Sequence, residues 1–176
     1  MDWYLAVFEL IDMRSFSNLW YWIGLAIMWS TASHFVLGVP FDMVLRAKRQ
    51  GGQSEIDLVS VIEVNVRRIR YIGQVSGIWI IGIGSALLTT LAILGFVYWV
   101  EFAQALFFLA FPMTIVGLMS LRTARLLSEK DASDPEAMRE RLTKHRFRIQ
   151  LLGVASIFVT SLFGMWQNIA VGPLGG

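Results

Sequence analysis

The chain has 176 residues, 56% of them apolar and 16% charged, with a mean hydropathy of +0.59. An ordinary soluble domain carries about 25% charged residues, so the composition points to a membrane. The absence of cysteine excludes disulfides, thiolate metal sites, iron–sulfur ligation and cysteine nucleophiles, and the formal net charge of +2 is small.

Residues 1–18 open the chain with MDWYLAVFELIDMRS. On a helix Asp2, Glu9 and Asp12 fall within about 80° of one another, while Trp3, Leu5, Val7, Phe8, Leu10 and Ile11 supply apolar surface around them. The segment is too short and too charged to span a bilayer. It predicts an interfacial helix, either a lead-in to the first span or a docking element for a partner.

Residues 19–37, LWYWIGLAIMWSTASHFVL, form the first predicted span, near the roughly 20 apolar residues that a crossing helix needs. The run lacks a basic n-region and follows acidic and aromatic residues, so it is not read as a cleaved signal peptide. Ala26, Ser30, Ser33 and His34 share an arc of about 100°, a small polar face expected to turn toward protein. His34, in the last turn, is read as a hydrogen-bonding group for a helix or headgroup. A cofactor ligand shared with a partner and a pH-sensitive contact are the alternatives.

Residues 38–71 form a loop broken at Gly38 and Pro40, with a turn at QGGQS (50–54). Ser54, with Asp57 three residues on, predicts a helix start. The β-branched VSVIEVNV is read as helix leading into the second span, because an isolated strand has no partner in view.

The second span is predicted at 72–100 and the third at 102–121, separated by Glu101 in a tight hairpin. Gly73, Gly77, Gly84 and Gly95 lie in a stripe about 40° wide, with Leu88 and Leu91 on or beside it. Small residues let helices approach closely where lipid gives no hydrophobic drive for association. Pro112 predicts a kink in the third span. A loop at 122–148 follows, in which SDPE (133–136) starts a helix. The fourth span, 149–171, carries a second small-residue stripe about 80° wide: Gly153, Ser156, Thr160, Gly164 and Gln167. Each stripe packs within the bundle or forms a seam between subunits.

Fourteen of the fifteen lysines and arginines fall in the two long loops. The positive-inside rule then predicts an all-α integral membrane protein with four spans, cytoplasmic loops and both termini outside. Trp20, Trp22, Tyr98, Trp99 and Trp166 stand at the outer span ends as interfacial anchors.

The chemistry available is sparse. His34 is alone in a span and His145 lies in a basic loop, which leaves no bis-histidine haem site. No three or four ligands stand at metal-binding spacing. Ser85 and His34 lack the context of a serine protease. The expectation is a protein without enzymatic activity and without a cofactor. Glu101, Gln104, Gln167 and Asn168 cluster near the outer end and could line a polar vestibule. In NVRRIRYIGQVSG (65–77) the arginine register stops at Gly73 and Ser76, so it is no voltage sensor, and nucleic-acid binding would want a broader basic surface with stacking aromatics. Arg67, Arg68 and Arg70 are read as anchors for anionic headgroups, together with Arg46, Lys48, Arg49, Arg122, Arg125, Arg146 and Arg148.

The opening MDWYLAVFELIDMRSFSNLWYWIGLA, the GVPFDMV after the first span, RRIRYIG and VEFAQALF together resemble a family of small membrane proteins of Rhodobacter-like alphaproteobacteria. Members are sometimes labelled as a component of the SufBCD iron–sulfur assembly complex. The resemblance covers nearly the whole chain and implies a bacterial inner-membrane location. It supplies no catalytic motif. The leading functional expectation is an accessory, assembly or scaffold protein that meets other inner-membrane subunits, or itself, through small-residue helix faces. The alternative is a homo-oligomeric channel or small transporter; lipid binding through the basic loops is a third reading.

Overall fold

The computed structural model describes residues 15–129 and 134–170. The interfacial helix expected over 1–18 therefore lies outside the described residues up to position 14; so do Lys130, Ser133 and the end of the fourth span at 171. Residues Ser15–Ser17 form one 3-10 turn. Six α-helices follow among the described residues: α1 (Leu19–His34), α2 (Phe41–Gln50), α3 (Gln53–Val75), α4 (Gly77–Phe96), α5 (Glu101–Glu129) and α6 (Pro135–Ala170). Three of them, α4, α5 and α6, are long and apolar enough to cross a membrane. The chain is a helical membrane protein.

α1 is apolar but has only 16 residues, about 24 Å at 1.5 Å per residue. Asn18 caps it by accepting a hydrogen bond from the Trp20 N–H at 3.0 Å. The helix stops at His34 because the chain turns back in a two-residue hairpin, Phe35–Val36 (β1) against Val39–Pro40 (β2). Both turn residues, Leu37 and Gly38, have positive φ, 54° and 75°, the primed geometry that tight hairpins prefer. The Asn65 side-chain amide donates to the Gly38 carbonyl at 3.4 Å, tying the turn to α3. The inward residues of α1 are Leu25 and Trp29. The polar face of Ala26, Ser30, Ser33 and His34 is turned mostly outward instead of toward protein. The cause is shape: the Trp29 ring seats against Gly153 of α6, so bulk meets smallness and the polar arc is left on the far side.

The two basic loops are folded. α2 buries Phe41, Val44 and Ala47, and α3 buries Leu58, Ile62 and Val66 at every fourth residue. These side chains form one core with Val36, Leu37 and Val39 of the hairpin, Ala124 and Leu127 of α5, and Met138 and Leu142 of α6. The result is a helical lobe beyond the apolar segments. α5 and α6 run past the predicted span ends because RTARLLSE and EAMRERLTKHRFR are rich in good helix formers. α3 starts after Gly51 and Gly52, both at positive φ (61° and 53°). Gly52 occupies the cap position assigned to Ser54, whose hydroxyl donates to Gln50 Oε1. The apolar run 72–100 is divided: α3 extends to Val75, Ser76 sits at φ −113°, ψ 4°, and α4 ends at Phe96. Pro112 lies inside α5 and is buried.

At the start of α6, Asp134 Oδ1 accepts from the Glu136 and Ala137 N–H groups at 2.9 and 3.3 Å, with Pro135 at the first helical position, where no N–H is needed. Asp134→Ala should cost about 1 kcal/mol of stability, readable as a lower melting temperature in detergent with no change in assembly.

Candidate functional site

Three places bring sequence-marked residues together. The first is at the end away from the lobe. Phe16 is buried among Tyr21, Phe108 and Phe163, with ring centroids 5.5–6.2 Å away. Its N–H donates to Glu101 Oε1 at 2.8 Å, and its carbonyl accepts from Trp22 Nε1 at 3.0 Å. Gln104 is fully buried and donates to the Gly95 carbonyl at 2.7 Å. That contact explains Gly95: a Cβ there would lie 3.0 Å from the Gln104 backbone nitrogen. Gln167 is buried on the inner face of α6, whereas Asn168 is exposed. The four polar residues thus share one end of the molecule, with Glu101 and Gln104 each engaged by the backbone.

The second is the pair of small-residue stripes. Gly153, Ser156, Thr160, Gly164 and Gln167 all lie on the buried face of α6. A Cβ on Gly153 would stand 2.8 Å from Trp29 Cε3, and one on Gly164 would stand 3.2 Å from Phe16 Cβ. The α6 stripe is therefore filled from within the chain. The stripe expected over 73–95 is broken at Ser76: Gly73 belongs to α3, and Gly77, Gly84 and Gly95 lie on α4. Gly73 faces Leu121 at 3.1 Å and Gly95 faces Gln104, but beside Gly77 and Gly84 there is nothing within 4 Å. α4 is mostly exposed: over its 20 residues the buried ones are Leu91 and Gly95.

The third place was not legible as a site. His145, read as a loop residue, is 1% exposed on α6. Its Nε2 lies 3.2 Å from the Ser120 hydroxyl and its Nδ1 lies 3.0 Å from the Thr123 hydroxyl, both on α5. Hydroxyls can donate or accept, so they satisfy the neutral ring in either tautomer. Burial first, and the neighbouring Arg148 second, push the His145 pKa down to about 4. The histidine forms the floor of a cleft of about 420 Å³ between α5 and α6. Arg122, Arg141, Lys144 and Arg148 line it, with Glu140 as the one carboxylate and Met119 and Leu126 as apolar walls. Lys144 pairs with Glu140 at 2.6 Å. The signal that could have found His145 is the run Met138, Leu142, His145, Ile149, at the 3–4 spacing of a buried helix face.

The other basic residues divide by position. The Arg146 guanidinium sits 3.9 Å over the Phe41 ring, a contact within the lobe. Arg70 donates to the Ser128 hydroxyl, and Arg125 lines a smaller cleft with Arg70, Gly73 and Glu129. Arg46 pairs with Asp42 at 3.8 Å; Lys48, Arg49, Arg67 and Arg68 are exposed. Arg139 bridges to Glu55 at 3.0 Å, joining α6 to α3. His34 is exposed and lies edge-on to Phe35 at 4.8 Å. Among the described residues, no three His, Asp or Glu side chains are grouped so as to hold a metal ion. No protein-family model, curated protein or solved structure matches this chain.

Proposed function

We propose that the protein is a non-enzymatic accessory or scaffold subunit of a larger complex in a bacterial inner membrane, and that α4 is the helix that meets the other subunit. The observation that carries this reading is the contrast between α4 and α6. Both bear small-residue stripes, but the α6 stripe is occupied by Trp29 and Phe16, whereas Gly77 and Gly84 face open space. A helix whose whole circumference is apolar belongs in lipid or against other helices. Glycines give such a helix close backbone approach, the main source of association energy in a bilayer. Ile78, Trp79, Ile81 and Ile83, on the same half of α4, are 65–89% exposed.

In this reading α1 also crosses the membrane, its short helix completed by the hairpin Phe35–Pro40, which gives four spans with both termini outside. The basic residues of both loops, gathered in one folded lobe, support a cytoplasmic position for it. Within the lobe Ile56 and Val64 of α3 stand 59% and 62% exposed, apolar surface available to a soluble or peripheral partner. A pore built on Glu101, Gln104, Gln167 and Asn168 draws less support, because the Glu101 carboxylate accepts from the Phe16 N–H and the Gln104 amide nitrogen donates to the Gly95 carbonyl.

Gly77→Ile and Gly84→Ile test the association. In mild detergent the wild-type chain should co-purify and cross-link with a stoichiometric partner or a second copy. Either variant should lose that species at least tenfold while melting no lower than wild type, because a Cβ added at either position meets nothing within 4 Å. A wild-type protein that runs only as a monomer, or variants that assemble normally, would remove the basis for the scaffold reading.

A further inference from the structure

The cleft between α5 and α6 has a composition that the scaffold reading does not use. Four cationic side chains and one carboxylate surround it, one of the cations on α5 and three on α6: Arg122, and Arg141, Lys144 and Arg148. With Lys144 and Glu140 paired, no other carboxylate among the described residues lines the cleft beside Arg122 and Arg148. The neighbouring clefts differ. The one between α3 and α5 sets Glu63 beside Arg67 and Arg70, and the one next to it sets Glu129 beside Arg70 and Arg125. Arg122 and Arg148 alone thus give the cleft between α5 and α6 a larger excess of positive charge than either neighbour.

Its level along the helices is informative. The apolar part of α5 ends at Leu121, one residue before Arg122, and that of α6 begins at Ile149, one residue after Arg148. From Arg141 to Arg148 is about 10 Å of helix, and the headgroup zone on each side of a bilayer is roughly 5–8 Å deep. The cleft therefore stands at the headgroup layer, with Met119 on the side of the acyl chains. His145 holds the two walls in register by binding Ser120 and Thr123, which stand two residues before and one residue after Arg122.

We propose that this cleft binds the phosphate of an anionic phospholipid from the leaflet on the lobe side. Guanidinium groups match phosphate oxygens in charge and in paired geometry. Basic pockets between spanning helices are a recurrent headgroup site. Free phosphate shares the chemistry, but the apolar wall at Met119 and the depth of the cleft favour a phosphate that carries acyl chains. The site is independent of the α4 interface, and binding is expected in a monomer.

The protein, purified in a neutral detergent, would be titrated with phosphatidylglycerol or phosphatidylcholine and read by native mass spectrometry. Phosphatidylglycerol should be retained in preference to phosphatidylcholine, and R122Q/R148Q should weaken it about thirtyfold. R122K/R148K, which keeps the charge, should retain binding and shows that the site tolerates change at these positions. K48Q/R49Q removes the same charge from the exposed end of α2 and should bind as wild type. Equal loss in K48Q/R49Q would reduce the effect to diffuse surface charge and overturn the site. Displacement of the lipid by millimolar inorganic phosphate or glycerol phosphate would overturn the lipid assignment in favour of a soluble phosphate. Oligomeric state is read in the same spectra, so failure of the α4 interface is seen separately.

Discussion

Gly153→Val should lower the stability of the folded protein by about 3 kcal/mol. The ideal Cβ at this position stands 2.8 Å from Trp29 Cε3 and 3.0 Å from Cδ2, closer than real Cβ contacts allow. The ring has nowhere to go. Trp29 is 6% exposed and packs in a cluster with Leu25, Val116 and Ile149. Even Gly153→Ala should destabilise, although alanine in a helix interior normally gains about 1 kcal/mol over glycine. Gly84→Ala is the matched control: nothing lies within 4 Å, so there the propensity gain should appear as a raised melting temperature. A smaller ring partner should rescue the clash, with Trp29→Leu/Gly153→Ala less destabilised than the sum of its single changes. Thermal unfolding in detergent reads all of these variants, Trp29→Leu alone included. A stabilising Gly153→Ala would mean that α1 does not seat on α6, and the membrane-level core would need a different account.

The contrast between these glycines bears on what could be read from the chain alone. The 3.6-residue period places Gly73, Gly77, Gly84 and Gly95 on one stripe, and Gly153 and Gly164 on another. It does not say which stripe has a partner within the chain. That depends on which bulky residue of which distant helix arrives, Trp29 and Phe16 for α6 and none at the lobe-side half of α4. The apolar segments were legible because twenty uncharged residues leave few alternatives to a helix in or near lipid. The lobe was harder to see. Its helices are amphipathic and charged, so a hydropathy reading ends at Leu121 and resumes at Ile149. The buried faces of α2, α3 and the ends of α5 and α6 carry the fold across that gap. The polar arc of α1 was assigned the wrong side for a related reason. Polarity suggests the protein-facing side, while the packing within the chain comes from an aromatic ring against a glycine. Among the basic residues, sequence position shows their grouping in two segments but not their division of labour. Arg146 is spent on Phe41, Arg139 on Glu55, and the cleft gathers residues from two segments some twenty positions apart.

Acidification should expose the role of His145. An unperturbed histidine titrates near 6.5, whereas burial and Arg148 push this one down to about 4. Between those values the unfolded chain takes up a proton that the folded chain refuses, so stability rises with pH across the window. Read in the other direction, it is intact above about 6.5, falls progressively as the pH drops, and loses no more through this group below about 4. The loss through His145 amounts to about 3 kcal/mol. Carboxylates such as Glu55, paired with Arg139, contribute their own acid sensitivity, so the informative quantity is the difference between wild type and His145→Gln. Glutamine can offer a donor and an acceptor to Ser120 and Thr123 but cannot titrate. The variant should melt below wild type at pH 7.5 by a small margin and show a flatter decline between pH 6.5 and 4. Anionic lipid adds a second arm. A negative charge in the cleft favours the imidazolium, so phosphatidylglycerol should reduce the acid sensitivity of the wild type and leave the His145→Gln profile unchanged. An identical pH slope in the two proteins would show that the buried ring is not the titrating group. A lipid effect on both alike would place the bound phosphate away from His145.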